Sequence, residues 1–585
     1  MGSLESSHHT YGAADLQVQV QVQGPNVSYW TMTLGPCWMA SRQPHNKDLQ
    51  VRTGCGTCKR RRVRCDEARP TCVRCTKAKY ICDGYSAFST PSPQSSSTKL
   101  LLDIPEGVSR GIRPSDSPHF YRTLQAMAEL PELDYRAYDF CRRQTTHNIA
   151  THHLSHFWTH TVLAACHDDS AILHSMLALS GAHRFYCDAQ SGLVPLRAAE
   201  TAMYSHYGKA VRLLQDRMRA KSLGECQTIL IVCLVLLTFD VIQGRYREAL
   251  VHLNHGRRIL RGLQACKSEV SGMTGLYLPI KAESTLDELS YSFAIMDLQS
   301  VTFGSEVLQF RLMGDQDEVD PGKHRISTSF ANLDEAWRCI LLLLNEVHYF
   351  ALSLSQRQSI GSTDDQSLRI WQGRVLGYLR QWKQAFDNGP LRTAASGSNS
   401  SSAWHDRSAQ LRLTHTYLTV IVRVLLNRDD EMIYDSLISE YSKIIALCEE
   451  LAGRLPSIKL DAVVIPALYY VGGRCRHPGL RRRVLQALSR VGREGHWDGR
   501  QIERLTREKM RIEEEGSGYI HKENHDVPQD GGLLAAIVPR HARWTELWAD
   551  FSDEDYSMIR LQFKRRVSSA DGGTTMEVRH VLVRC

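Results

Sequence analysis

The chain has 585 residues, 42% of them hydrophobic and 23% charged, with a formal net charge of +8. That length allows a large core and more than one domain. The start, MGSLESSHHT, has no apolar signal region, and the longest apolar run, 229–239, is about half of what a bilayer span needs, so neither secretion nor membrane insertion is expected.

The positive charge is not spread evenly. Residues 51–82 carry ten Lys/Arg against two Asp/Glu, a net of +8, and the rest of the chain is neutral. A strongly basic module joined to a neutral body is the electrostatic footprint of a nucleic-acid binder.

In chain order, residues 1–50 are polar and irregular. Residues 16–23, LQVQVQVQ, alternate like a strand, but nothing nearby can pair with them, so this stretch is expected to be disordered. The start also matches M-G-x-x-x-S, an acylation pattern on Gly2, but the motif is short and common by chance.

Residues 55–82 carry six cysteines spaced C-x2-C-x6-C-x6-C-x2-C-x6-C, and Cys55, Cys58 and Cys65 repeat the spacing of Cys72, Cys75 and Cys82. In a chain without secretory features, thiolates this dense are metal ligands rather than disulfides. Zinc takes four ligands. Two Zn2+ ions need eight ligand positions, and six thiolates supply them if two bridge both metals. The repeat points to Cys55 and Cys72 as the bridges. The two halves differ in charge. Lys59, Arg60, Arg61, Arg62 and Arg64 make five basic residues of the six between Cys58 and Cys65, whereas the matching stretch of the second half has only Lys77 and Lys79. Arg can pair bidentately with guanine in the major groove, and Lys or Arg can neutralise phosphates, so the first half is the reader and the second the brace.

This segment resembles the fungal binuclear zinc cluster, Zn(II)2Cys6, of fungal transcription factors. Every cysteine matches, as do the basic run and Pro70, two positions before the fourth cysteine. The resemblance implies that the first and fourth cysteines bridge two zinc ions. It also implies that Arg61 and Arg62 approach the bases of a CGG-type triplet, leaving Lys59, Arg60 and Arg64 mostly to phosphates. The chain is then expected to be a nuclear regulator of RNA polymerase II promoters that binds double-stranded DNA. The alternative is a zinc-dependent protein-interaction scaffold or cofactor, which leaves the one-sided arginine run unexplained.

Residues 85–118 are expected to form a linker, Ser- and Pro-rich at first. Prolines and glycines interrupt 99–118, so no coiled-coil dimer is predicted. Binding as a monomer and dimerising through the large domain both stay open. From 119 on, the apolar pattern is helical. Helices are predicted at 153–165, at 171–186 after a capping break at 167–170, and at 199–218. The stretch 227–243, apolar all round, reads as the central core helix ended by Gly244, and 245–263 follows as an amphipathic helix. Further helices are predicted at 334–355, 366–386, 405–427, 431–453, 459–473, 478–492 and 498–515, and 575–583 alternates as a strand of uncertain partner. Gly244 to Leu250 is similar to part of a tetratricopeptide unit, but no 34-residue recurrence follows. Cys166, Cys233, Cys339 and Cys448 read as reduced core thiols.

A second resemblance covers this region. Phe157-Trp158 through Ser180, residues 240–260, Arg481-Arg482-Arg483, Trp497-Asp498-Gly499 and Glu513-Glu514-Glu515-Gly516 are similar to the helical regulatory domain of fungal zinc-cluster factors. It implies contact with the transcription machinery or response to an effector, and many such factors control small groups of metabolic genes, often for secondary metabolites. The expected fold is mainly α, with a disordered 1–50, a zinc module at 51–84, the linker at 85–118 and an all-α domain at 119–585. His152, His156 and His160 share a helix face, and His521 and His525 are spaced i, i+4, but neither set has the carboxylate of a metal-protease motif. No phosphate-binding loop or nucleophile elbow occurs, so no enzyme is expected.

Overall fold

The computed structural model describes residues 20–23, 38–39, 73–77, 130–150, 155–193, 197–217, 223–264, 269–270, 273–302, 308–313, 326–360, 365–388, 402–428, 430–516, 538–550, 558–568 and 574–584. The chain divides into two compact units, a large one made of Met1–Ala40 with Pro118–Cys585 and a small one, Ser41–Ser117. Two strands, β1 (Val20–Gln23) and β2 (Trp38–Met39), precede the small unit, in which α1 (Val73–Lys77) is described.

The large unit resumes with α2 (Glu132–Phe140), which runs on through a π-helical turn, Cys141–Thr145, and a last turn, Thr146–Ile149. A second π-helical turn, Phe157–Thr161, opens α3 (Val162–Asp168). The predicted capping break follows. Asp169 is extended, and its carboxylate accepts from Ala171 N at 2.8 Å and Ile172 N at 3.2 Å at the start of α4 (Ser170–Gln190). Then come α5 (Arg197–Arg217), α6 (Leu223–Ile242) and α7 (Tyr246–Gln264).

Every residue of α6 from 229 to 242 is buried, which is why its apolar residues encircle the helix instead of forming a stripe. By length and apolarity Glu225–Ile242 also meets the measure of a membrane helix, with mean hydropathy 2.1, but 78% of it is buried inside the protein. Helices α4, α5, α7 and α8 (Thr285–Thr302) pack around it, so it is a core helix. Gly244, at φ +71°, ends α6 in the left-handed region that glycine favours. On α7, Gly256 faces α8 so closely that a Cβ would lie 2.0 Å from Phe293 Cε1; any other residue would push the two helices apart.

The stretch between 264 and 333, where no element is predicted, holds α8 and a small sheet. In that sheet β4 (Met273–Tyr277) lies between β3 (Glu269–Val270) and the parallel β5 (Phe310–Met313). Buried polar residues, among them Ser290, Ser292, Asp297 and Ser300, interrupt the apolar pattern of α8, so no stripe marks it. Asp297 pins β5 by accepting from Gln309 N at 3.1 Å and Phe310 N at 3.0 Å.

The remaining predicted helices form as α9 (Leu333–Ile360), α10 (Asp365–Asn388), α11 (Ser402–Val424), α12 (Ile438–Ala452), α13 (Val464–Arg474), α14 (Pro478–Leu488) and α15 (Gly499–Gly516). Three of the predicted boundaries are corrected, the first being 431–453, whose start is a turn and a 3-10 helix, Ile433–Leu437, before α12 begins. The start of 459–473 and the end of 478–492 give way to β6 (Ile458–Lys459) and β7 (Arg493–Glu494), which pair in parallel, while β7 pairs antiparallel with β8 (Trp497–Asp498). Glu494 explains the late start of α13. Its Oε2 accepts from Val463, Val464 and Ile465 N at 3.1, 2.9 and 2.9 Å.

The C-terminal strand finds its partners in a five-stranded sheet. β9 (Glu546–Asp550), β10 (Met558–Ser568) and β11 (Thr574–Arg584) are joined antiparallel, and the order is β1-β11-β10-β9-β2. Leu547, Ala549, Ile559, Leu561, Phe563 and Val581 are buried at its core. Two expectations are corrected here. The domain is mainly helical but not all-helical. Within the N-terminal stretch expected to be disordered, Val20–Gln23 pairs with β11, and Trp38–Met39 pairs with β9. Both partners lie over 500 residues away in sequence, out of reach of a local pattern.

Candidate nucleic-acid interface and its zinc centre

Of the cysteines expected to hold zinc, the described residues of the small unit include one, Cys75. α1 follows Cys72 directly and carries Cys75, which is fully buried, while Val73, Thr76 and Lys77 are exposed. A buried thiol on a short helix whose Val73, Thr76 and Lys77 are exposed is compatible with a metal ligand. Cys55, Cys58, Cys65, Cys72 and Cys82 lie outside the described residues, as do Lys59, Arg60, Arg61, Arg62 and Arg64. The donor set is six thiols, which suits zinc rather than a hard cation.

Among the described residues no group of three or more His, Cys, Asp or Glu is placed to hold a metal. His156 and His160 stack, with ring centroids 5.1 Å apart, and His156 Nδ1 lies 2.9 Å from Glu288 Oε1 of α8. The carboxylate missing from the helix face is thus supplied by another helix, yet His156 stays exposed and the pair is an ordinary contact. His152, His521 and His525 lie outside the described residues.

The large unit buries its charge in matched sets. Asp240, the acidic residue of the buried part of α6, accepts from Tyr207 Oη at 3.2 Å and faces Arg245 and His252, each at 3.5 Å. Burial pushes its carboxyl up to about 7, with Arg245 and Tyr207 opposing. The densest set joins α13, α14 and α15. Glu513 accepts from Arg476 at 2.8 Å, from Arg481, and from Trp544 N at 3.1 Å. Burial pushes Glu513 up, but Arg476, Arg481 and Lys509 outweigh it and hold the carboxyl well below the usual range. Glu514 takes Arg482 bidentately at 2.6 and 2.7 Å, Glu449 takes Arg483 at 2.9 and 2.6 Å, and Glu431 pairs with Arg474 and Arg476. Lys509 lies buried beside this set with no hydrogen-bond partner for Nζ among the described residues, and burial drives its ammonium down to about 7.

The sequence motifs of the helical domain therefore meet in space. Arg481 and Arg482 meet Glu513 and Glu514 across one packed interface, whereas Arg483 turns to Glu449 and Glu515 to Arg511 of its own helix. Asp498 of the Trp-Asp-Gly motif binds Arg493 at 3.0 Å and caps α15 by accepting from Gln501 N at 3.1 Å. Arg493 also donates to Val241 O at 3.1 Å, tying β7 to the end of α6. Gly499 is required because a Cβ would lie 2.2 Å from Val491 O. Buried thiols such as Cys141 and Cys233 are pushed up to about 12 by burial, the reverse of an activated nucleophile.

A module with six closely spaced cysteines joined to a helical unit whose buried arginines meet carboxylates points to a zinc-cluster regulator. Two family models agree. The fungal Zn(2)-Cys(6) binuclear cluster domain matches residues 53–92, and the fungal specific transcription factor domain matches 133–505. The chain belongs to the family of fungal zinc-cluster transcription factors, which are DNA-binding regulators, and its cluster module binds two zinc ions. It is similar to the aspercryptin biosynthesis cluster-specific transcription regulator atnN of Emericella nidulans, 29% identical over 230 residues, covering 38% of this chain and 36% of that protein. It is also similar to white-opaque regulator 2 of Candida albicans, 43% identical over 58 residues, or 10% of this chain and 13% of that protein. Sterol uptake control protein 2 of Candida albicans is 57% identical over 44 residues, or 8% of this chain and 6% of that protein. The chain thus spans about a third or less of the length of these relatives. No solved structure matches it.

Proposed function

We propose that this protein is a nuclear, sequence-specific transcription factor that reads a CGG-type triplet through Arg61 and Arg62 and controls a small set of metabolic genes. One observation carries the reading. All the net positive charge of the chain sits on residues 51–82, and five of the six residues between Cys58 and Cys65 are basic. Six thiolates hold the two zinc ions, with Cys55 and Cys72 bridging, and the metal stiffens the start of the basic run. Lys59, Arg60 and Arg64 neutralise phosphates, which makes binding steeply salt-dependent. The helical unit faces the transcription machinery or a second copy. The gene-cluster role is supported by the printed name of the Emericella nidulans relative, and by nothing more.

The test is a gel shift with the full chain on a duplex carrying CGG, repeated with a scrambled triplet and with a chelator. Zinc-dependent binding that prefers the triplet supports the reading. Equal binding to both duplexes removes the triplet assignment. If no duplex is bound by the folded, zinc-loaded chain, the module instead serves contacts with another protein.

A further inference from the structure

The C-terminal sheet is finished by the other end of the chain. Residues 20–23 lie antiparallel on β11, with Val20 opposite Arg579 and Gln23 opposite Met576, and residues 38–39 lie parallel on β9, with Trp38 opposite Trp548. The two additions occupy opposite edges of the three-stranded C-terminal meander. Without them both edges would present unpaired backbone donors and acceptors, the surface on which extended segments add. The alternation of valine and glutamine in 16–23 matches the period of a strand with two different faces, which supports the pairing independently.

One arm can reach both edges. Neighbouring strands lie about 4.8 Å apart, so the outer strands of a five-stranded sheet are separated by roughly 19 Å. The 14 residues between Gln23 and Trp38 span up to roughly 46 Å when extended. Anchoring at one edge raises the effective concentration for the other, which favours the chain's own arm over a second copy.

We propose that the N-terminal arm is an intramolecular strand clamp on the regulatory unit, and that the clamp restrains the zinc module. The 92 residues between Met39 and Glu132 carry that module, and both flanking elements belong to the large unit. While the clamp is closed, the DNA-binding segment is a loop fixed at both ends; when it opens, the segment is held at one end only. The restraint on DNA binding rests on the function proposed above, whereas the clamp itself does not.

Hydrogen exchange on the full chain tests the clamp without DNA. Compared with a chain starting at Ser41, the full chain is expected to exchange those amides of 576–579 that face β1 roughly tenfold or more slowly, the amides that face β10 being unchanged. A peptide of residues 16–40 added to the shortened chain restores the protection. A full-length Gln21→Pro, Val22→Pro double variant guards against misfolding of the shortened chain. One of two consecutive strand residues must point its N–H at β11, so the double variant loses the same protection while its helical circular dichroism stays. Equal exchange in the full, shortened and variant chains overturns the clamp. A particle mass of two chains that falls to one when the arm is removed places the arm on a second copy and also overturns it. On a duplex that the full chain binds, opening the clamp is expected to raise affinity several-fold; lost protection with unchanged affinity removes the restraining role. If neither chain binds any duplex, the DNA-binding reading fails, and the exchange result still decides the clamp.

Discussion

The chain has two arginine clusters, and they do opposite things. Arg474, Arg476, Arg481, Arg482 and Arg483 in the helical unit each meet a carboxylate, from Glu431, Glu513, Glu514 or Glu449. The run Lys59, Arg60, Arg61, Arg62 and Arg64 is followed in sequence by only Asp66 and Glu67, and the whole excess charge of the chain lies around it. Arginine density alone therefore does not mark a nucleic-acid reader. The supply of counter-charge decides whether a guanidinium is consumed inside the fold or left for a phosphate or a base.

The strongest way to separate the two clusters is to remove the metal. Structural zinc supplies ~10–16 kcal/mol of apparent folding free energy in small modules. A chelator is expected to abolish DNA binding and unfold the small unit while leaving most of the helical circular dichroism unchanged. Loss of the helical signal together with DNA binding would show that the two units do not fold separately.

Next in size is Glu513→Ala, which leaves Arg481 buried without its nearest carboxylate and Arg476 with Glu431 alone. Breaking a buried pair from one side costs about 3–5 kcal/mol, to be read from urea unfolding. The zinc content should not change. A loss below about 1 kcal/mol would mean that the cluster is wetter than its burial implies.

Arg62→Ala tests the other cluster. Affinity should fall by about 1–3 kcal/mol and choice should relax at one base, with stability unaltered. A uniform loss across all sequences would make Arg62 a phosphate contact.

The smallest effect is on pH dependence. Burial lowers the folded pKa of Lys509 from 10.5 to about 7, with Glu513 favouring and Arg476 and Arg474 opposing its charge, and Glu431 also favouring it. A depressed lysine stabilises the fold fully only above its unfolded pKa, and that contribution is lost as pH falls toward the folded value. Unfolding free energy should therefore rise as pH goes from about 7 toward 10.5, by up to about 1.4 kcal/mol per pH unit from this group. Lys509→Met should flatten the rise. Asp240, raised to about 7, acts in a different window, losing stability as pH rises from about 4 to 7. An unchanged slope in Lys509→Met would mean that the amine stays charged in the fold.

Much of this was readable from residues near one another in sequence. The cysteine spacing, the basic run, the Asp169 cap and the wholly apolar α6 each declare themselves within a short stretch of chain, the longest being the 28 residues from Cys55 to Cys82, because ligand geometry and helical period are local. What stayed hidden depends on distant partners. α8 carries buried serines and Asp297, which only make sense once Arg257 and β5 are beside them. β6 and β7 are two-residue strands whose pairing crosses α13 and α14. The runs at 481–483 and 513–515 were visible as motifs, but their mutual pairing was not.

The two chain ends meeting in one sheet has a consequence for biosynthesis. A ribosome releases the arm well before the β10–β11 hairpin, so the sheet cannot be completed until that hairpin has emerged. On the proposed clamp, the zinc module can take up its metal before its tether is fastened, and a chain cut short before β10 would keep the cluster and lose the anchor.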